Sequence, residues 1–442
     1  MMHVLVAVRR VWERRPRGNP RHRQGALATV LLVGLLAAAP GTARANVVAD
    51  WNHLMLRLEP TPRFTPHTRG AALMHVAMHD ALNSIPGSRR YTTYLPPVPA
   101  SAGASPEAAA SAAARWMLRS YTQTVHPENT TLLGQIDTLH ATTLASIPDG
   151  PAKTEGIRVG EAAAEQLWTA RANDGWNNPD QVQYTFPTPA PGVWRPVPPW
   201  PSNNLPPFYW WNRVTPWTMT QASQFMSPPP LDLTNIRFWS DVVETWAYGD
   251  SQSKVRTADQ SLAAHWWGTC AESNFGSPGL IAQQLVRDHG TGLYESARIF
   301  ALLALAQADA IISNIENKNT WNFWRPITVI RQSVDPNWTP FLTTPPNQEY
   351  PAGHPMVSGS GVYVLAKFFP GRLAQPLRVT SAGCSTRTFL QVSDAVQEVV
   401  GARIWGGMHF RHSGEVGASL GEKIAHWVSQ RYLLPLDEPL SP

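Results

Sequence analysis

Residues 293–326 read LYESARIFALLALAQADAIISNIENKNTWNFWRP. From Ile299 to Ile312 the run is apolar except at Gln307 and Asp309, an interruption that suits a buried core helix better than a membrane span. The pattern predicts a helix over 293–317. Just beyond it stand Lys318 and Arg325, seven residues apart, close to two helical turns, so both would share one face if the helix persisted. Pro326 disfavours helical geometry at Arg325 and so puts that arginine at a helix end, its side chain free to reach a pocket.

Outward from this segment the chain is mostly helical in pattern. Ser105-Pro106-Glu107 supplies an N-cap, a proline at the first helical position and a first-turn acid ahead of an alanine-rich helix toward Thr122. Thr257-x-x-Gln260 is a capping-box signature. Helices are also predicted at 52–58, 69–83, 128–146, 152–173, 235–247, 278–289, 356–369, 386–402 and 413–430. No run of alternating strands stands out, so the expected fold is an all-α helix bundle. The exception is 186–231, whose prolines forbid regular helix or sheet while its many aromatics need burial. This long irregular segment is expected to lie over the bundle as a cover, and in a sharper reading part of it walls the entrance to a site.

Arginine-rich residues 9–23, the apolar run Ala26 to Pro40 and Ala43-Arg44-Ala45 read as the three regions of a secretory signal peptide, with cleavage expected after Ala45. The expected organisation is therefore a signal peptide at 1–45, an N-terminal helical part at 46–185, the Pro/Trp-rich cover at 186–231 and a catalytic helical part at 232–434. Residues 1–45 carry eight Arg against one Glu, so they hold +7 and the remainder of a chain of formal charge +5 is −2. The basic balance thus belongs to the signal and points to no nucleic-acid partner. No segment after it offers an uninterrupted apolar span, and a secreted or periplasmic location is expected. Cys270 and Cys384 form one disulfide or stay buried as thiols; spacing alone leaves both open.

Three short segments carry the chemistry: Lys318-NTWNFW-Arg325-Pro326, Pro351-Ala352-Gly353-His354-Pro355 and Arg403-IWGGM-His409. Pro355 suits the first position of a helix, which would set the backbone of Gly353 and His354 at a helix N-terminus, a favourable place for an anion. Arg403 and His409 lie about 240° apart on a regular helix and would not converge. Gly406-Gly407 removes that objection, since the helix can end there and return His409 toward Arg403. Three cations, a glycine amide and two imidazoles make a cradle for a small tetrahedral oxyanion such as phosphate or vanadate.

The order K-x6-R-P, P-x-G-H, R-x5-H resembles the signature shared by vanadium-dependent haloperoxidases and the type 2 phosphatidic acid phosphatase superfamily. VVADWN at 47–52, MHVAMHDALN at 74–83, TPWTMTQASQF at 215–225, ESARIFALLALAQADA at 295–310 and TTPPNQEYPAGHP at 343–355 are similar to the soluble, exported bacterial haloperoxidase-like members, so the resemblance covers most of the chain. It implies the helix bundle of that superfamily, with vanadate as cofactor and hydrogen peroxide, halide and small organic molecules as reaction partners. By the same resemblance His409 is the single protein ligand to vanadium. Lys318, Arg325, Arg403 and the Gly353 amide hold the other oxygens, and His354 handles protons as peroxide binds. Position 352 of the cofactor-binding motif belongs to this set as well. Assembly into a homo-oligomer is left open.

The chain departs from the family pattern in three places. Ala352 stands where serine is usual and removes a hydroxyl that would hydrogen-bond the anion, Ala402 stands where serine is also common, and Ser413 falls where phosphatases and several haloperoxidases carry an aspartate behind the histidine. Glu415 is one substitute for that acid. A vanadate-dependent haloperoxidase is the leading expectation, with a secreted acid phosphatase and a non-catalytic oxyanion-binding protein as alternatives. His75-x3-His79-Asp80 could place two imidazoles on one helix face for zinc or iron, but it lacks the glutamate of H-E-x-x-H and a third ligand, so polar helix packing is the plainer reading.

Overall fold

A computed structural model describes residues 46–57, 64–270 and 275–436. The expected signal peptide lies outside the described residues. The central element is a 29-residue helix, Leu293–Trp321, buried almost end to end. Among the described residues it is the one helix long and apolar enough to cross a membrane, and 94% of its apolar window is buried inside the bundle. The two polar residues that interrupt it each hold a neighbouring segment in place. The Gln307 side chain donates to Phe275 O at 2.7 Å. The Asp309 carboxylate accepts from the backbone N–H groups of Trp217, Thr218 and Met219 at 2.7, 2.8 and 3.1 Å. Asp309 thereby pins the Pro/Trp segment, which is irregular, with short 3-10 turns at Trp211–Arg213 and Ala222–Phe225.

In chain order the helices are α1 (Val47–Met55), α2 (Phe64–Ser84), α3 (Pro106–Val125), α4 (Thr130–Ala145), α5 (Pro151–Ala170), α6 (Ile236–Gly249), α7 (Ala258–Gly268), α8 (Ser277–Asp288), α9 (Leu293–Trp321), α10 (Pro326–Ser333), α11 (Gly353–Phe368), α12 (Asp394–Trp405) and α13 (Arg411–Arg431). The caps read from sequence form as expected: Ser105 accepts from Ala108 N, and Thr257 and Gln260 complete a reciprocal capping box. Helix α9 packs against α2 on one side and α11 and α13 on the other. One apolar core therefore runs through both the N-terminal helical part and the part beyond 232. Where α13 crosses α11, the backbones nearly touch. A Cβ on Gly421 would stand 2.5 Å from Met356 O, and one on Gly417 would stand 2.5 Å from Ala352 O, so only glycine permits this approach.

The structure corrects the sequence reading at several points. The helix expected over 386–402 begins only at Asp394, because 386–391 is a strand. The strands Arg372–Thr380 (β1) and Thr386–Gln391 (β2) pair antiparallel, with Val379 opposite Arg387 and Leu377 opposite Phe389. The alternation is hidden because one inward position is a charged residue: Arg387 is buried and reaches Glu398 at 3.0 Å and Asp259 at 2.7 Å. Helix α10 has no counterpart among the expected helices. Helix α11 starts at Gly353, so Pro355 occupies its third position, where a missing N–H is equally tolerated. Cys270 and Cys384 are joined, their Cα atoms 6.2 Å apart, which ties the hairpin turn to the end of α7.

Candidate active site

Lys318, Arg325, Gly353, His354, Arg403 and His409 all line a single cavity of about 70 Å³. That volume holds several waters or one small polyatomic ion. Ala352 is buried but is not among the residues lining this cavity. From the Pro/Trp segment, Pro207 and Phe208 do line it, as the sharper reading of that segment expects.

Each group is delivered by the end of an element. Helix α9 stops when Asn322 takes a left-handed conformation, φ 46°, which leaves Lys318 in its last turn. Arg325 is extended, φ −82° and ψ 154°, as its proline neighbour requires, and caps α10 rather than ending α9. Gly353 opens α11, whose N-cap Ala352 offers no side-chain oxygen to the first-turn N–H groups. Asn314 of α9 holds that turn by donating to Pro351 O at 3.2 Å. Arg403 lies in the last turn of α12. Gly407, φ +76°, then folds the chain back, so that the N–H groups of Met408 and His409 donate to Arg403 O at 3.0 and 3.3 Å. The glycine pair thus returns His409 beside Arg403, as expected.

Burial and mutual repulsion dominate the electrostatics. Burial, followed by Arg325, pushes Lys318 well below its ordinary value, while its Nζ donates to the carbonyls of Gln348 and Glu349. Burial lowers Arg325 to about 10, and burial with Arg325 lowers Arg403 to about 9. His354 and His409 are both held well below 6.5, first by burial and then by the surrounding cations, so both rings are neutral. His354 also rests against the Phe275 ring, centroids 4.8 Å apart. Arg325 donates from Nε to Asn347 O at 2.8 Å and from Nη1 to Met408 O at 2.8 Å. Arg403 is different: Nη2 meets Met408 Sδ at 2.8 Å, but Nε and Nη1 are buried without a hydrogen-bond partner.

One buried acid escapes the sequence reading. Glu349 is fully buried, with Oε1 2.9 Å from His409 Nδ1 and 3.0 Å from Phe410 N. Burial pushes its carboxyl up to about 7 against the opposing pull of Arg325 and Lys318. Its place two residues before Pro351 in the NQEYP stretch is the available signal. Glu415, the substitute that the sequence suggests, is instead exposed and paired with Arg237. Glu349 is set against three cations, so the cluster carries an excess of positive charge. That excess, the unpartnered Arg403 nitrogens and the N-terminus of α11 all fit a small oxyanion.

The histidines of α2 are engaged in packing. His75 Nε2 lies 3.2 Å from Asn52 Oδ1 and His79 Nδ1 lies 3.1 Å from Asp80 Oδ1, while the Asp80 carboxylate accepts from the N–H groups of Tyr94 and Leu95 at 2.8 and 2.9 Å. Among the described residues no group of three or more His, Cys, Asp or Glu is arranged to hold a metal ion.

A family model described as the VCPO second helical-bundle domain matches residues 298–437, the stretch that contains Lys318, Arg325, Gly353, His354, Arg403 and His409. The chain is 25% identical over 419 residues to the vanadium chloroperoxidase of Curvularia inaequalis, covering 76% of this chain and 67% of that protein. Its fold is similar to that of a bacterial vanadium-dependent iodoperoxidase, TM-score 0.76 at 20% identity, covering 89% of this chain and 97% of the other. It is also similar to an apo-type bacterial vanadium-dependent chloroperoxidase, TM-score 0.65 at 16% identity, covering 83% and 93%.

Proposed function

We propose that the chain is a vanadate-dependent haloperoxidase, oxidising halide with hydrogen peroxide to a hypohalous-acid equivalent, a reading supported by its similarity to vanadium haloperoxidases. The observation that carries this reading is the cavity itself: three cations and a helix N-terminus around a small volume, with two guanidinium nitrogens of Arg403 buried and unpartnered. Bound there, vanadate would supply a Lewis-acidic centre that makes hydrogen peroxide electrophilic toward halide without a change of metal oxidation state. Lys318, Arg325 and Arg403 would neutralise the anion, and its charge would offset the burial that depresses the basicity of all three, together with the repulsion from Arg325 felt by Lys318 and Arg403. The first-turn backbone of α11 would donate to it. His409 would bind through its ring, and the neutral ring of His354 would accept and return a proton.

The test is halide oxidation by purified protein with peroxide, with and without added vanadate, beside hydrolysis of a chromogenic phosphate ester. Vanadate-dependent oxidation of at least one halide is expected, inhibited by phosphate. His409→Ala should lose both vanadate retention and oxidation, whereas His354→Ala should keep bound vanadate and lose turnover. Equal loss of vanadate in the two variants would refute that division of roles. The second reading, an acid phosphatase, is favoured by one observation: Glu349 supplies behind His409 the acid that Ser413 lacks. Ester hydrolysis without halide oxidation, inhibited by vanadate, would select it.

A further inference from the structure

His409 has one contact at each of its ring nitrogens. Arg325 Nη1 lies 2.9 Å from Nε2, and Glu349 Oε1 lies 2.9 Å from Nδ1. A guanidinium can only donate, so Nε2 must present its lone pair; the ring hydrogen is then on Nδ1 and points at the Glu349 oxygen. The same oxygen accepts from Phe410 N at 3.0 Å, which fixes the acid relative to the backbone that carries the histidine. The Glu349 backbone is held independently, its N–H donating to Phe323 O at 2.9 Å and its carbonyl accepting from Lys318 Nζ at 3.1 Å. Its second oxygen, Oε2, is buried with no hydrogen-bond partner. An acid so placed is costly to the fold, and orienting His409 is the task its side-chain contacts serve.

We propose that Glu349 is the positioning residue of this site: it holds His409 in the tautomer that keeps the lone pair on Nε2, the nitrogen that Arg325 Nη1 contacts, and strengthens that nitrogen as a donor to the central atom of a bound oxyanion. This inference rests on the reading of His409 as the residue that bonds vanadium. It assigns to Glu349 what a carboxylate behind a metal-binding histidine generally does, fix ring orientation and raise ligand basicity. On α13 itself Ser413 occupies the place one turn beyond His409, and Glu415 is exposed and paired with Arg237.

Equilibrium dialysis of vanadate and of inorganic phosphate against wild type, Glu349→Gln and Glu349→Ala separates this role from simple electrostatics. Phosphate needs the cations and the α11 backbone but no bond to Nε2, so deleting an acid beside the cavity should leave its affinity unchanged or raise it. Vanadate additionally needs the oriented Nε2, and its affinity should fall roughly tenfold or more in both variants, the usual effect of losing such a partner. Opposite responses of the two anions support the proposal. Unchanged or tighter vanadate binding in Glu349→Gln, which keeps shape and fold, overturns it. A wild type that prefers vanadate no more than phosphate, with His409→Ala equally indifferent, overturns the underlying reading of His409 as well.

Discussion

At the scale of single residues, Ala352 changes most in meaning between sequence and structure. Read against the family pattern, its missing hydroxyl deprives a bound anion of one hydrogen bond. In the structure it is the N-cap of α11, buried and away from the cavity lining, with no side-chain oxygen for the first turn. The expected consequence of Ala352→Ser is therefore a better-capped helix, worth about 0.5–2 kcal/mol of stability. Its hydroxyl would accept from the N–H of His354, because Pro355 at the next position has none. Urea unfolding should show the gain while vanadate affinity moves little. Tighter vanadate binding without added stability would return the hydroxyl to the anion. Glu349 is the opposite case, a residue marked in sequence only by its place before Pro351 that becomes central once its contacts are known.

At the scale of elements, the site depends on where helix ends stop, and those ends are set by backbone packing. The first turn of α11 is held in place by Asn314 from α9 and by the glycine-lined crossing of α13. A methyl at Gly421 would meet Met356 O at 2.5 Å, a contact that must be relieved by moving one helix. Gly421→Ala should cost about 1–3 kcal/mol in unfolding free energy, the usual effect of overpacking. Because the same seam carries Gly353 and His354, the variant should also bind vanadate more weakly. Full stability in thermal and urea unfolding would mean the crossing has slack. The β1–β2 hairpin shows how an element escapes sequence reading: its alternation exists, but with Arg387 at an inward position it does not look like a buried strand.

For the whole molecule, acid stability follows from imidazoles buried in neutral form. His75 of α2 is pushed down to about 3, first by burial and then by His67. Its ordinary value is 6.5, so between pH 6.5 and about 3 the unfolded chain binds a proton that the folded chain does not. This contribution is fully present above pH 6.5 and is lost as pH falls, at a slope of roughly 1.4 kcal/mol per pH unit for one such group. Urea midpoints measured at pH 7 and pH 4.5 should differ in the wild type, and His75→Gln should shrink the difference. An unaltered difference would show that His75 protonates in the folded state without cost.

The helical class, the buried central helix and six of the residues that line the cavity are all legible in the amino-acid order. Each of these rests on local rules: apolar periodicity makes α9, Pro326 extends Arg325, and Gly406-Gly407 reverses the chain between Arg403 and His409. Four features emerge only when the elements pack: Glu349 stands behind His409, Ala352 caps a helix without lining the cavity, Arg387 faces inward on a strand, and Cys270 meets Cys384. The physical reason is common to all four. Their partners lie far along the chain or on another element, no local spacing encodes such a meeting, and a buried acid or arginine is tolerable only after other elements have brought its counter-charges within reach.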